Sequence, residues 1–145
     1  MATNALAGIG TLLKVSDNAS PPVFSTVANV SSISGPNISA ETYDVTSHDS
    51  TNNYREFISG LKDGGEVSFD IFFNPDEATH YEGAGGLLQF LEDREVKNWR
   101  IDFPTSPVKR WSFAGVVTAF ENEAPTDGPL TASITIKVSG KPTLS

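Results

Sequence analysis

Residues 54–73 read YREFISGLKDGGEVSFDIFF, in which an apolar-rich loop runs directly into an alternating segment. From Glu66 to Phe73 the apolar residues fall on every second position, which is the period of a β-strand with one buried face. The first half carries four large apolar side chains at offsets of 0, 3, 4 and 7, the spacing of one helical face: Tyr54, Phe57, Ile58 and Leu61. These side chains need an apolar surface to cover them, which is either the core of the same domain or a neighbouring subunit.

The length of the chain, 145 residues, corresponds to a single domain, 1–145. Folding at this size buries about 70% of the surface that the unfolded chain exposes, so a core is feasible without crosslinks. The absence of cysteine excludes a disulfide scaffold, a thiolate zinc site and a cysteine nucleophile. The N-terminal sequence has neither the basic region of a signal peptide nor an apolar run long enough to span a membrane. We therefore expect a protein that is used without export and without membrane binding.

The charge of the chain is strongly negative, with a formal net charge of -8 at pH 7. Tight nucleic-acid binding depends on Lys and Arg side chains that displace counterions from phosphates, and the ten basic residues here are scattered. Lys109 and Arg110 form the one adjacent pair. An acidic surface would suit DNA that has to slide past without adhering, because it repels phosphates.

Period-two alternation bounded by Gly, Pro, Asn and Asp dominates the chain and predicts a mainly β fold. The predicted strands are Gly10–Val15, Val23–Ile33, Thr42–Thr46, Glu66–Phe73, Val96–Phe103, Lys109–Glu121 and Leu130–Ser139. In the two clearest of them the intervening residues form a hydrophilic face that includes Ser68, Asp70, Thr131, Ser133 and Thr135. Alternation of this kind by itself suits many β-sandwiches.

One helix is predicted to begin after the Glu66–Phe73 strand. Asn74 is a suitable N-cap, Pro75 suits the first helical position, and Glu77 completes a capping box. Its apolar stripe comprises Tyr81, Ala84, Leu87, Leu88 and Leu91. Glycines at 83, 85 and 86 each weaken a helix by about 1 kcal/mol relative to Ala, so a kink or a late start near Gly86 is the alternative.

No constellation of residues predicts catalysis. His48, Asp49 and Ser50 are the residue types of a hydrolase triad, but neighbours in sequence rarely adopt its geometry, and loop polarity explains them better. The chain has two histidines without ligand spacing and no phosphate-binding loop, so we predict neither a metal nor another cofactor. Its larger aromatic residues alternate with apolar neighbours, which favours a core position: Trp99, Phe103, Trp111 and Phe113.

Five segments together resemble the major tail tube protein of long-tailed bacteriophages. They are Gly10–Val15, Ile33–Pro36, Asp44–Thr46, Tyr54–Val67 and Leu130–Pro142. The resemblance spans essentially the whole chain, and its most specific parts are the Tyr54–Val67 block and the closing KVSGKP at residues 137–142. It implies a non-catalytic structural protein of the virion, folded as a β-sandwich or barrel-like domain with one flanking helix and a long extended loop.

The resemblance implies further that copies form hexameric rings, and that the rings stack into a hollow tube through which DNA passes during ejection. It implies partners at the tail tip, a tape measure protein and a tail terminator, assembly in the host cytoplasm, and no additional immunoglobulin-like domain at the C-terminal end. The candidate residues for contacts between subunits are Tyr54, Arg55, Phe57, Ile58 and Leu61. The candidate residues for the tube lumen are Ser68, Asp70, Thr131, Ser133 and Thr135.

One alternative function remains open. A β-sandwich can also serve as a virion adhesin or a carbohydrate-binding module, with aromatic residues near Trp99 or Trp111 as the platform for a sugar. Whether the apolar loop covers its own core or contacts a neighbour is likewise open at this stage.

Overall fold

The computed structural model describes residues 5–6, 8–16, 21–77, 79–80 and 86–145. Within these residues the chain forms nine strands, one α-helix and a short 3-10 turn at Thr51–Asn53. In order they are β1 (Leu12–Ser16), β2 (Phe24–Thr26), β3 (Val30–Ser34), β4 (Ser39–Asp44), β5 (Phe57–Asp63), β6 (Glu66–Phe72), α1 (Leu87–Asp93), β7 (Lys97–Asp102), β8 (Arg110–Glu123) and β9 (Thr131–Leu144). The predicted mainly β fold with one helix is confirmed.

Seven strands form one antiparallel sheet in the order β2-β1-β7-β8-β9-β6-β3, and β4 pairs with β5 in a separate hairpin. The strands β2 and β3 are consecutive in the chain, yet they lie at opposite edges of the large sheet. Four peptide steps from Thr26 to Val30 span at most about 14 Å, so the sheet has to curl until its edges approach each other. An apolar cavity of about 730 Å³ remains along this seam, with Ile9, Val30 and Ile33 among its lining residues.

The separation of β2 from β3 corrects the prediction of one continuous strand over Val23–Ile33. Asn29 adopts a left-handed backbone with φ of 61°, which interrupts the extended chain. The backbone of Ala28 is held at this turn by two side chains: its N–H donates to Thr79 Oγ1 at 3.1 Å, and its carbonyl lies 2.6 Å from His80 Nε2. The alternation before and after the turn therefore belongs to two strands.

The long strands β8 and β9 connect two halves of the sheet. Each has 14 residues, whereas strands usually have 5 to 6. The register between them shifts at Ser112/Ala114 and at Val117/Ala119, and such bulges bend and twist a strand. At the bend, a Cβ on Gly115 would lie 2.5 Å from Ile136 Cγ2, so only glycine allows this approach.

The core lies between the two halves. On one side β6 contributes Val67, Phe69 and Ile71, and on the other β7 contributes Trp99 and Ile101, all of them buried. The indole Nε1 of Trp99 donates to the carbonyl of Gly115 at 3.2 Å, which satisfies both groups away from water. The two outer surfaces of the sheet consequently face in opposite directions.

The helix begins later than its capping signals predict. Asn74 does accept a hydrogen bond from the N–H of Asp76 at 3.0 Å, but it closes a turn, and α1 begins only at Leu87. This matches the alternative start near Gly86. Tyr81 and Ala84 lie outside the described residues, and the buried residues of α1 are Leu87 and Phe90.

Candidate functional site: a projecting hairpin and a polar sheet face

The block that begins at Tyr54 leads into β5, one strand of a β-hairpin, and does not form a helical face. In the β4–β5 pair, Tyr43 lies opposite Ile58 and Asp44 lies opposite Phe57. The ring of Tyr43 lies across Gly60, where a Cβ would meet Tyr43 Cζ at 2.8 Å. An aromatic ring over a glycine in a two-stranded ribbon supplies packing that the glycine itself lacks.

The hairpin exposes its large apolar side chains. The exposed fractions are 73% for Tyr54, 55% for Phe57, 54% for Ile58 and 78% for Leu61. The register shift that pairs Thr42 with Ser59 but Ala40 with Lys62 is a bulge in β5, so Leu61 lies on the same face as Ile58 and Phe57 lies on the other. The chain's own core therefore covers neither face. The interpretation that this segment closes the core of its own domain is wrong.

The polar side chains at the distal end of the hairpin bind one another. The hydroxyl of Ser50 donates to Glu56 Oε2 at 3.2 Å, and the N–H of Glu56 donates to Thr46 Oγ1 at 2.8 Å. Hydrogen bonds from Thr46, first from its side chain and then from its N–H, lower the pKa of Asp44. Ser50 is thus bound to a glutamate within a turn, in agreement with the structural interpretation of the segment His48–Ser50.

The junction between the hairpin and the sheet is tightly packed. Gly65 has a φ of +73°, and a Cβ there would collide with the carbonyl of Asn37. At Gly64 a Cβ would lie 2.6 Å from Val138 Cγ1. The absence of a side chain at both glycines lets three segments of backbone approach each other.

The five predicted lumen residues lie together on the outer face of β6 and β9. The register places Asp70 opposite Ser133, Ser68 opposite Thr135, and Phe72 opposite Thr131. Asp70 is the centre of this face, since its carboxylate accepts hydrogen bonds from Ser133 Oγ at 2.7 Å and from Ser32 Oγ at 3.1 Å. We call this surface, on β3, β6, β9 and the end of β8, the acidic face.

Sequence reasoning missed the residues that β8 adds to the acidic face. Glu121 lies opposite Ser133, and Glu123 lies opposite Thr131. The bulge between Val117 and Ala119 shifts the alternation by one residue, so counting from the start of β8 assigns these glutamates to the wrong side. The three-residue step between the apolar residues Val117 and Phe120 was the signal that could have revealed the bulge.

Among the described residues the acidic face has one cation, Lys137, which lies at the end next to the hairpin and is neutralised. Its Nζ lies 3.2 Å from Asp63 Oδ1 and 3.3 Å from Asp63 Oδ2. The N–H of Gly65 and then Lys137 lower the pKa of Asp63, so this carboxylate stays charged at lower pH than an ordinary aspartate does. The salt bridge leaves the carboxylates of Glu66 and Asp70 to set the sign of the surface potential.

The aromatic residues proposed for a carbohydrate platform are part of the core. Trp99 and Phe113 are buried, and Phe103 and Trp111 pack against the core cluster from partly buried positions. Among the described residues no group of acidic or histidine side chains is arranged for a metal ion. In the same part of the chain, no helix has the length and apolarity needed to cross a membrane.

A family model described as the lambda phage tail tube protein matches residues 9–145. The chain belongs to the lambda phage tail tube protein family. The resemblance inferred from its sequence segments is therefore confirmed, and with it the assignment as a structural protein without catalytic activity. Comparison with curated proteins gives no match.

Solved tail structures share the fold. A chain from the virion of a native gene transfer agent particle is 22% identical with a TM-score of 0.72, over 97% of this chain and 99% of that one. A chain from the sheath-tube complex of an extracellular contractile injection system, in its extended state, is 12% identical with a TM-score of 0.71, over 99% and 93%. At these identities the likeness concerns the tail tube fold alone.

Proposed function

We propose that six copies of this chain close into a ring, and that the rings stack into a hollow tail tube whose lumen conducts DNA during ejection. The observation that carries the proposal is the acidic face, where hydroxyls and carboxylates from four strands share one outer surface on a fold shared with tail tubes. The tail of an empty gene transfer agent particle was solved with C6 symmetry, which supports a ring of six.

The acidic face suits a surface that DNA passes without binding. Asp70, Glu66, Glu121 and Glu123 repel phosphates, while Ser and Thr hydroxyls keep the surface hydrated. A ring of six carries a formal charge of -48, six times the -8 of one chain, so the field opposes adhesion at every ring. The lumen residues are accordingly Ser68, Asp70, Thr131, Ser133 and Thr135.

The hairpin is the proposed contact between copies. Tyr54, Phe57, Ile58 and Leu61 are exposed in the single chain, and covering such side chains is worth roughly 1.5 to 3 kcal/mol each. Arg55 is exposed beside them and completes the set. Burial at an interface would remove a projecting apolar ribbon from water and would give a free subunit a reason to assemble.

A tube with two ends and a defined length requires other proteins that start it, set its length and close it. A tail tip or initiator protein starts the tube, a tape measure protein occupies it during assembly, and a terminator closes it. Related folds occur in a sheath/tube terminator and in a baseplate of contractile injection systems, which supports specialised copies of the fold at both ends. We place assembly in the host cytoplasm and the finished protein in the tail of the virion.

Electron microscopy of the purified protein over a range of concentrations tests this function. We expect six-fold rings at low concentration and long hollow tubes at high concentration. Discrete monomers at every concentration would contradict the proposal, and glycan-array binding by those monomers would instead favour the adhesin alternative.

A further inference from the structure

The outer surface of the sheet opposite the acidic face is positively charged. It carries four of the ten basic residues of an otherwise acidic chain, on β1, β7, β8 and the end of β9: Lys14, Arg100, Arg110 and Lys141. We call this surface the basic face. The strand register aligns Lys14 with Arg100 and Arg100 with Ser112, and it aligns Ser112 with Thr143. Two clusters of opposite sign on opposite sides of one small domain are not explained by solubility.

One carboxylate, Asp102, lies among these cations, and it does not neutralise them. It is 6% exposed and is bound by Lys14 Nζ at 2.8 Å. Arg110 Nε lies 3.4 Å from Asp102 Oδ1, an oxygen that has no hydrogen bond, so this contact is electrostatic alone. Two cations share one carboxylate, and within the part of the chain that the structure describes Arg100 and Lys141 have none, so this part of the basic face has a surplus of positive charge.

A groove of about 370 Å³ crosses the basic face. Its lining includes Pro22, Phe24, Asn98, Arg100, Lys141 and Thr143. The guanidinium of Arg100 lies 3.8 Å above the ring of Phe24, so one wall of the groove combines a cation with an apolar aromatic surface. Such a wall is complementary to a segment that is both acidic and apolar.

The hairpin and its connecting loop have this composition. Residues 39–63 contain five carboxylates against two cations, together with the exposed apolar side chains of β5. Within the described residues, the hairpin touches the large sheet along β9 and not along β1 or β7. The groove of a given chain is therefore not occupied by the hairpin of the same chain.

We infer that the groove of the basic face receives the acidic hairpin of a second copy of this chain. The inference rests on the proposed assembly and names the surface against which the hairpin packs. A contact between two different surfaces of identical subunits is head-to-tail, and such contacts generate rings when the rotation closes. Opposite charges also steer the encounter and set the register before the apolar side chains are buried.

Reversing the charge of the groove tests the inference first. In Lys141→Glu we expect the concentration required for tube formation to rise at least about tenfold, because like charges then face each other across the contact. Lys109→Glu is the matched control, since it makes the same change at an exposed residue that does not line the groove. Circular dichroism of both variants verifies their fold. Equal assembly by Lys141→Glu and the parent chain would overturn the inference.

Mixing complementary variants makes the test decisive. One variant carries Arg100→Glu and Lys141→Glu in the groove, and the other carries Glu41→Lys and Asp49→Lys at exposed positions of the hairpin. Each variant alone places like charges across every contact, whereas alternating copies in a 1:1 mixture restore opposite charges at every contact. We expect rings and tubes from the mixture and monomers from either variant alone.

Tube formation by the parent chain distinguishes a failure of this inference from a failure of the proposed function. If the parent forms tubes while the mixture stays monomeric, the docking of the hairpin in the groove is wrong and the tube function stands. If the parent itself forms no tubes, the function fails. Normal assembly of either double variant alone would also overturn the docking inference, because assembly would then not depend on the charge of the groove or of the hairpin.

Discussion

Asp70 accepts a hydrogen bond from the hydroxyl of Ser133 at 2.7 Å across the β6–β9 ladder, and its second oxygen accepts one from Ser32. A single exposed carboxylate thus ties three strands together on the acidic face. Its charge is held at a fixed place in the proposed lumen, because both oxygens are bound to hydroxyls that cannot neutralise it.

The first prediction concerns this carboxylate. Asp70→Lys should assemble tubes of normal appearance but impair DNA ejection, because each ring would present six cations to passing phosphates. Phage yield and DNA release are the measurements. Asp70→Asn is the control, since it keeps a similar shape and removes the charge without reversing it, and we expect a much smaller defect. Normal ejection by Asp70→Lys would remove Asp70 from the lumen.

The second prediction separates assembly from folding at Leu61. Leu61 is 78% exposed, so Leu61→Asp should change the free energy of unfolding by no more than about 0.5 kcal/mol while abolishing tubes. Urea titration and electron microscopy measure the two effects. Leu13→Asp is the matched control, because Leu13 is fully buried and the same substitution there should unfold the chain. A destabilised Leu61→Asp monomer would argue against an interface role.

The third prediction concerns the junction at Gly65. Gly65 and Gly140 both have positive φ, at +73° and +83°, but an added Cβ meets the carbonyl of Asn37 only at Gly65 and finds open space at Gly140. Gly140→Ala should cost about 1 to 2 kcal/mol, the cost of a left-handed backbone for an L-residue. Gly65→Ala should cost clearly more, because the backbone of the junction has to move. Equal thermal shifts for the two variants would refute the crowding argument.

The fourth prediction concerns pH and Asp63. Its pKa is lowered in the folded state by the N–H of Gly65 and then by Lys137, so ionised Asp63 stabilises the fold above the ordinary carboxylate range. This contribution disappears as the pH falls through the lowered pKa. Asp63→Asn should therefore be less stable than the parent at pH 7, with the difference vanishing in strong acid. Lys137→Gln should give a partial effect, since the hydrogen bond from Gly65 remains. A pH-independent difference in urea titrations would contradict this assignment.

The strands with one uniformly buried face were predictable from the sequence. Glu66–Phe73 was assigned within one residue of β6, because each alternate side chain of β6 enters the same core. Leu130–Ser139 was assigned within one residue at its start, but β9 continues to Leu144. Gly140 looked like the end of the strand, whereas its positive φ accommodates an irregularity within it.

The hairpin was not predictable as a hairpin. The spacing of Tyr54, Phe57, Ile58 and Leu61 matches a helical face, but in the structure both faces of β5 are apolar because neither lies on the chain's own core. The spacing of apolar residues predicts secondary structure only when these residues face the core of their own chain. In a segment with exposed apolar residues on both faces, the spacing can therefore suggest the wrong secondary structure. The strand that pairs with β5, β4, is exposed along its whole length, so it has no alternation of buried and exposed residues that could be recognised in the sequence.

The acidic and basic faces were only half visible in the sequence. Alternation grouped Ser68 with Asp70 and Thr131 with Ser133, and the structure brings these two sets side by side. Which strands join them depends on pairings far apart in the chain, such as Glu121 with Ser133 and Lys14 with Arg100. Strand pairing brings these charged residues together, whereas in the sequence they are scattered.

The short link from β2 to β3 also has a kinetic consequence. The two strands can take their places at opposite edges only when β1, β7, β8, β9 and β6 already lie between them, so we expect closure of the sheet to be a late step. Non-local pairing of this kind slows folding, since loop-closure entropy is lost before the contacts form. A newly made subunit would then acquire its assembly surfaces only at the end of folding, which delays polymerisation until the chain is complete.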